Sequence, residues 1–287
     1  ARYDYTRENY TELLWFFEGF TSYYDDLFLL RAGLIDEARY LKLLAKTISA
    51  VQAAPGRQVQ SVAQASFDAW VKYYRPDENT PNSTISYYAK GSLVALALDL
   101  TLRREGRATL DAVMRRLWQA SAGGPIAEAD IASALRELAG RDCADELAAW
   151  VHGTDELPLR PLLEAAGVDW ATSAPTLAQR LGLRVGESAL TGVKVTHVLR
   201  GGAGEAAGLA AGDELLGVDG WRLRRLDDAL RIVTPGRAAA WLVARDQRLH
   251  TLALTLPAEP AGGAVTLAPA ARASRPALAL RKAWAQG

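Results

Sequence analysis

Cysteine is nearly absent: Cys143 is the single one in 287 residues. One thiol excludes an internal disulfide and any cysteine-rich metal site. An excess of charge of either sign is missing too. Lys+Arg and Asp+Glu stand at 33 each, so nothing points to nucleic acid and no acidic tail appears. No apolar run is long enough to cross a bilayer, so no membrane partner is expected. No secretory signal stands at the start, and the opening at Ala1 reads as the interior of a longer protein. Histidine is scarce. His152, His197 and His250 are the three, and no two lie four apart on a helix. No G-x-S-x-G elbow supports a serine nucleophile.

What is present is an ordinary globular composition, 49% apolar and 23% charged, at a length that suggests two domains. Residues 1–170 read as helical. Segments 8–32, 36–54, 59–74, 86–105, 109–121, 126–139 and 142–151 have helix-like apolar spacing, with Pro and Gly between them. Asp36 and Thr109 read as N-caps. The polar stretch 75–86 reads as a loop, and its Asn82-Ser83-Thr84 acceptor pattern as chance. Trp70, Tyr73 and Tyr74 fall at helical spacing and are expected in the core.

The pattern changes near Ser173-Ala174-Pro175. Short alternating segments follow, at 193–199, 214–220, 239–245 and 249–256, with short helices near 206–210 and 226–233. Residues 174–257 therefore read as a small α+β domain. Residues 258–287, rich in Ala, Pro and Arg, read as a C-terminal tail, either packed as an extra segment or partly disordered. The fold class expected is multidomain: an all-α helical domain followed by an α+β domain.

The stretch LLWFFEGFTSYYDDLF, residues 13–28, places Glu18 among Leu13, Leu14, Trp15, Phe16, Phe17 and Phe20. An unpaired carboxylate buried there costs several kcal/mol. A cation, a set of hydrogen bonds, a raised pKa or a metal ion has to compensate it. On one helix Glu18 and Asp25, seven residues apart, share a face. Read from the helix alone, the plain alternative is an Arg paired with the carboxylate.

A second stretch, ISYYAKGSLVALALDL at 85–100, puts Tyr88, Lys90 and Gly91 in a Y-x-K-G string. W-x-x-E-G-F-x-x-Y, followed 70 residues after Glu18 by Tyr88 in S-Y-Y-x-K-G, resembles the thermolysin-like (gluzincin) zinc aminopeptidases. The nearest likeness is to the glycyl aminopeptidase family that carries a C-terminal PDZ domain. DYTRENYTELLW and GTDELPL resemble that family as well. The resemblance implies that residues 1–170 are the C-terminal part of a peptidase catalytic domain. It implies Glu18 as a zinc ligand and Asp25 as the acid that orients a zinc-bound histidine. It implies Tyr88 as the hydroxyl that stabilises an oxyanion. The substrate implied is a peptide with Gly or Ala at its N-terminus. Phe16, Phe17 and Tyr87 are candidates for the walls of a small pocket.

The sequence departs from the family at one point. It contains no H-E-x-x-H, the motif that supplies two zinc ligands and the general base. In the family that motif lies upstream of the match. The expectation is a fragment that is inactive alone, with zinc in the full-length enzyme and absent here. His197 alternates with Val193, Val195 and Leu199 and reads as a half-buried structural histidine; Cys143 reads as a small buried hydrophobe.

In the second domain, A-x-x-A-G-L-x-x-G-D-x-L-x-x-V-D-G at 203–220 resembles a bacterial-type PDZ domain. Leu181, Gly182 and Leu183 match the loop that receives a peptide C-terminal carboxylate, beside a strand edge open to an added strand. The alternative to an enzyme is therefore a helical-plus-PDZ adaptor that binds peptide C-termini. An Ala/Arg/Gly-heavy composition suggests a bacterial source, in cytoplasm or periplasm.

Overall fold

The computed structural model describes residues 4–259 and 262–287. Ala1 and the tail residues Pro260 and Ala261 lie outside the described residues. The chain forms two compact units, one of residues 1–75, 84–171 and 265–287, the other of residues 76–83 and 172–264.

The first unit opens with α1 (Leu14–Arg31), α2 (Glu37–Gln52) and α3 (Val62–Phe67). The short α4 (Thr80–Ser83) belongs to the second unit. The first unit resumes with α5 (Tyr87–Arg104), α6 (Leu110–Ser121), α7 (Glu128–Ala139), α8 (Ala144–Leu147), α9 (Leu159–Ala165) and β1 (Val168–Thr172). Asp36 and Thr109 are N-caps, accepting from Arg39 N and Ala112 N. Every residue of α5 from Lys90 to Leu102 is buried. A helix apolar on all sides belongs at the centre of a bundle, and α1 packs along it.

The expected helix 59–74 is interrupted. A π-helical turn, Ala69–Tyr73, follows α3. Its wider turn rotates the following side chains off the helical stripe. Trp70, Tyr73 and Tyr74, expected in the core, are exposed instead. α1 begins at Leu14 rather than residue 8, and Phe17 on it is exposed.

The second unit contains α10 (Leu177–Leu181), β2 (Leu183–Ser188), β3 (Gly192–Val198), α11 (Ala203–Ala206), β4 (Glu214–Val218), β5 (Trp221–Arg222), β6 (Ala238–Arg245) and β7 (Arg248–Thr255). A 3₁₀ turn spans Leu226–Arg231. The antiparallel sheet runs β2-β3-β4-β6-β7, with β5 against β4, so β2 is an edge strand. Asp213 is buried, and Arg245 donates to both its oxygens at 2.7 and 2.8 Å. Loop 76–83 joins this unit through Asn82. Its amide donates to Val198 O at 2.8 Å and accepts from Arg200 N at 2.9 Å. Asn82 is buried, which fits a structural role and leaves the glycosylation pattern without meaning.

The last segment, read as a tail, returns to the first unit as β8 (Val265–Pro269) and α12 (Arg275–Gln286). β8 pairs with β1. Among the described residues of α12 only Trp284 is buried.

Candidate functional site

The site lies where α1 and α5 cross. Gly19 and Gly91 face each other there. A Cβ on Gly19 would stand 2.6 Å from Gly91 Cα, and one on Gly91 would stand 2.6 Å from Trp15 O. Such separations are far inside van der Waals contact, so only paired glycines permit this crossing. The residue before Gly19 is Glu18, and three before Gly91 is Tyr88. The glycine contact thus brings the two candidate residues together. Both glycines stand within the sequence motifs, and the crossing gives them a role that the motifs alone do not show. The signal was the glycine following each of Glu18 and Lys90.

Tyr88 sits in the first turn of α5, which Ser86 caps by accepting from Ala89 N at 3.2 Å. Its phenol is pushed up to about 12. Burial contributes most, followed by the charge of Glu18 and the nearby Tyr74, with side-chain hydrogen bonds to both. At any ordinary pH Tyr88 is therefore a neutral hydroxyl able to donate. Aromatic neighbours frame it. Tyr73 lies 5.8 Å and Tyr87 4.8 Å from its ring centroid, and the Tyr87 and Tyr74 hydroxyls are 3.3 Å apart.

Glu18 is half-buried rather than enclosed. Among the described residues no Arg, Lys or His forms an ion pair with it. No cation holds it as the paired-Arg alternative requires, and its charge acts on the Tyr88 phenol. Asp25 lies two turns further along α1 and is exposed. Of the expected pocket walls, Phe16 and Tyr87 are buried, and Phe17 is exposed.

Glu18 suits a single metal ligand: a carboxylate without a cation, in reach of a neutral donor. Among the described residues no group of three His, Cys, Asp or Glu is placed to hold a metal ion. These residues alone therefore do not make a zinc centre, which takes three protein ligands. His152 is paired with Glu128 at 2.6 Å, and His197 Nδ1 is 3.0 Å from the Thr196 hydroxyl. Burial, then Arg184, lowers the His197 pKa against a smaller pull from Glu78. Cys143 is buried, and that burial raises its thiol.

In the second unit Leu181, Gly182 and Leu183 are all buried. Gly182 ends α10 with φ +67° and passes close to Gly202, where a Cβ would stand 2.7 Å from its Cα. The Gly182 N–H donates to Gln179 O, and its carbonyl accepts from Leu199 N. The Gly182 N–H is thus engaged within the unit, while among the described residues the edge of β2 beside it has no neighbouring strand.

Comparison with known proteins gives two family matches. Residues 1–94 match the M61 glycyl aminopeptidase family, and residues 172–235 match the PDZ domain. The crystal structure of an aminopeptidase N family protein from Idiomarina loihiensis is 35% identical, with a TM-score of 0.88 over 98% of this chain and 50% of that one. The chain thus spans half the length of that relative. The HtrA-type protease AlgW with a decapeptide is 28% identical over 36% of this chain and 29% of that one, at a TM-score of 0.21. The HtrA3 PDZ domain bound to a phage-derived ligand is 16% identical over 35% of this chain and 92% of that one, at 0.24. No curated protein matches.

Proposed function

We propose, from the match of residues 1–94 to the M61 glycyl aminopeptidase family and of residues 172–235 to the PDZ domain, that this chain is part of a zinc-dependent aminopeptidase acting on peptides with an N-terminal Gly or Ala. The single observation behind this reading is Glu18, paired with no cation of the described residues and brought by the Gly19–Gly91 crossing near enough to Tyr88 for its charge to act on the phenol. Glu18 would be one of the residues to hold the zinc, and Asp25 would hold a histidine ligand in the tautomer that ligates. Tyr88 donates to the oxygen that gains charge as the scissile carbonyl is attacked. Zinc, when bound, supplies a Lewis acid and an activated water. The remaining ligands and the base belong to an H-E-x-x-H motif that this sequence lacks, so this chain alone is inactive.

The test starts with the reading frame before Ala1. An H-E-x-x-H within a few tens of residues is expected, and its absence overturns the enzymatic reading. In the protein that carries the motif, Glu18→Ala should lose zinc and activity together. Tyr88→Phe should keep zinc and lower kcat by about 10²–10³, the scale of one lost oxyanion donor. Unchanged turnover in Tyr88→Phe would remove that residue from the mechanism.

The second reading is a non-catalytic adaptor whose PDZ domain takes a peptide C-terminus. The edge position of β2 supports it, since a peptide can add there as a strand. Leu181, Gly182 and Leu183 would then have to release the Gly182 N–H from Gln179 O. The same upstream sequence decides between the two readings.

A further inference from the structure

The opposite face of α5 borders a cavity of about 570 Å³. Lys90 follows Tyr88 by two residues, about 200° around the helix, so it points away from the Glu18 side. Lys90 is 3% exposed. Among the described residues its ammonium makes no hydrogen bond and no ion pair. It lines the cavity together with Arg57, Arg160 and Glu156. Glu156 is already taken by Arg57, whose Nε donates to it at 2.8 Å, and Arg160 donates to Glu164 at 2.8 Å. Three lining side chains are cationic and one anionic, so the cavity carries a positive excess. Ile48, Leu93, Leu157 and Trp170 supply apolar wall.

Lys90 Nζ is not among the enclosed polar atoms that lack a partner, so the ammonium opens into the cavity, where an anion can pair with it. Burial lowers the Lys90 pKa, Glu156 and Asp155 oppose that from a distance, and Arg57 adds to it. Among the described residues no anion is hydrogen-bonded to Nζ. The volume falls within the range of small-molecule sites, which combine apolar wall with a few placed polar groups.

We propose that this cavity binds a small organic acid, its carboxylate on the Lys90 ammonium and its hydrocarbon body against Ile48, Leu93 and Trp170. The site is separate from the Glu18–Tyr88 face, and it stands or falls independently of peptide hydrolysis.

Titration calorimetry of the 287-residue chain with hexanoate tests it, with hexanamide as the uncharged control. Hexanoate should bind at millimolar concentration or below, and hexanamide roughly tenfold more weakly or worse. Lys90→Met, which keeps the length and removes the charge, should lose hexanoate to the same degree while its circular dichroism stays native. Equal binding of acid and amide, unchanged binding by Lys90→Met, or no binding at millimolar hexanoate overturns the proposal. Should Lys90→Met fail to fold, the unaltered chain gives the answer. Hexanoate should slow amine-reactive labelling of Lys90, read by mass spectrometry, and leave Lys42 and Lys194 unchanged. Undiminished labelling of Lys90 overturns it.

Discussion

At the scale of single residues, two carboxylates show how burial and partners set behaviour. Asp99 lies within the wholly buried stretch of α5, where a lone charge would be prohibitive. It accepts from Tyr23 Oη at 2.7 Å, Arg103 Nε at 2.9 Å and Leu110 N at 2.8 Å. Asp99→Ala leaves Arg103, itself 4% exposed, partly stranded. Loss of about 3–5 kcal/mol is expected, measured by urea unfolding. Asp111 stands next in the same chain of contacts. Burial acts to raise its pKa, but the hydrogen bond and charge of Arg31, with Arg103, outweigh it and hold the carboxyl below its usual range. A carboxyl lowered on folding stabilises above its unfolded pKa, and that stability is lost as pH falls through the folded one. Wild type should therefore lose stability below about pH 4, while Asp111→Asn, weaker at neutral pH, should show a shallower acid slope. Parallel acid slopes for the two proteins would remove Asp111 from this role. Glu18 stands out in the sequence because a carboxylate amid aromatics demands a reason. Lys90 was legible as a motif letter only, because its burial depends on helices far away in sequence.

At the scale of elements, the α1–α5 crossing is what positions the candidate site. Gly91→Ala would push a methyl against Trp15 O, and Gly19→Ala would push one against Gly91 backbone. Backbone cannot step aside as a flexible side chain can, so the helices must separate. Each substitution should cost about 1–3 kcal/mol. Each should also bring the Tyr88 phenol back toward its ordinary value, since Glu18 recedes from it. Spectrophotometric titration of the tyrosines reads that shift, and an unchanged Tyr88 titration in Gly91→Ala would disprove the coupling. Helices with a continuous apolar pattern and clear caps, such as α2 and α6, were legible within a residue or two. Strands β3, β4, β6 and β7 were legible from alternation bounded by glycine turns. The turn after α3 was not. A π-helical turn has no local composition of its own, and one extra residue in a turn re-aims Trp70, Tyr73 and Tyr74 from core to surface.

At the scale of the whole molecule, neither unit is contiguous in sequence, and this is what the sequence reading could not supply. A border near residue 173 is visible in composition, but the return of residues 265–287 to the first unit depends on partners more than a hundred residues upstream. Those partners are specific. Arg103 donates to Ala283 O at 2.7 Å and Arg31 to Trp284 O at 3.1 Å. Trp284 is 2% exposed, its indole N–H donates to Tyr23 Oη at 2.9 Å, and its ring meets Tyr40 edge-on at 5.6 Å. Through Tyr23 the last helix reaches Asp99, and through Arg103 it touches the same carboxylate. Trp284→Ala should therefore cost about 3–5 kcal/mol, the scale for an aromatic removed from a core. The loss should fall on one unit only. Hydrogen exchange should quicken in α1 and α5 and stay unchanged in β3, β4 and β6, whose core contains no part of α12. Equal quickening in both would mean that the two units unfold as one, and the C-terminal helix would then be a clasp for the entire chain.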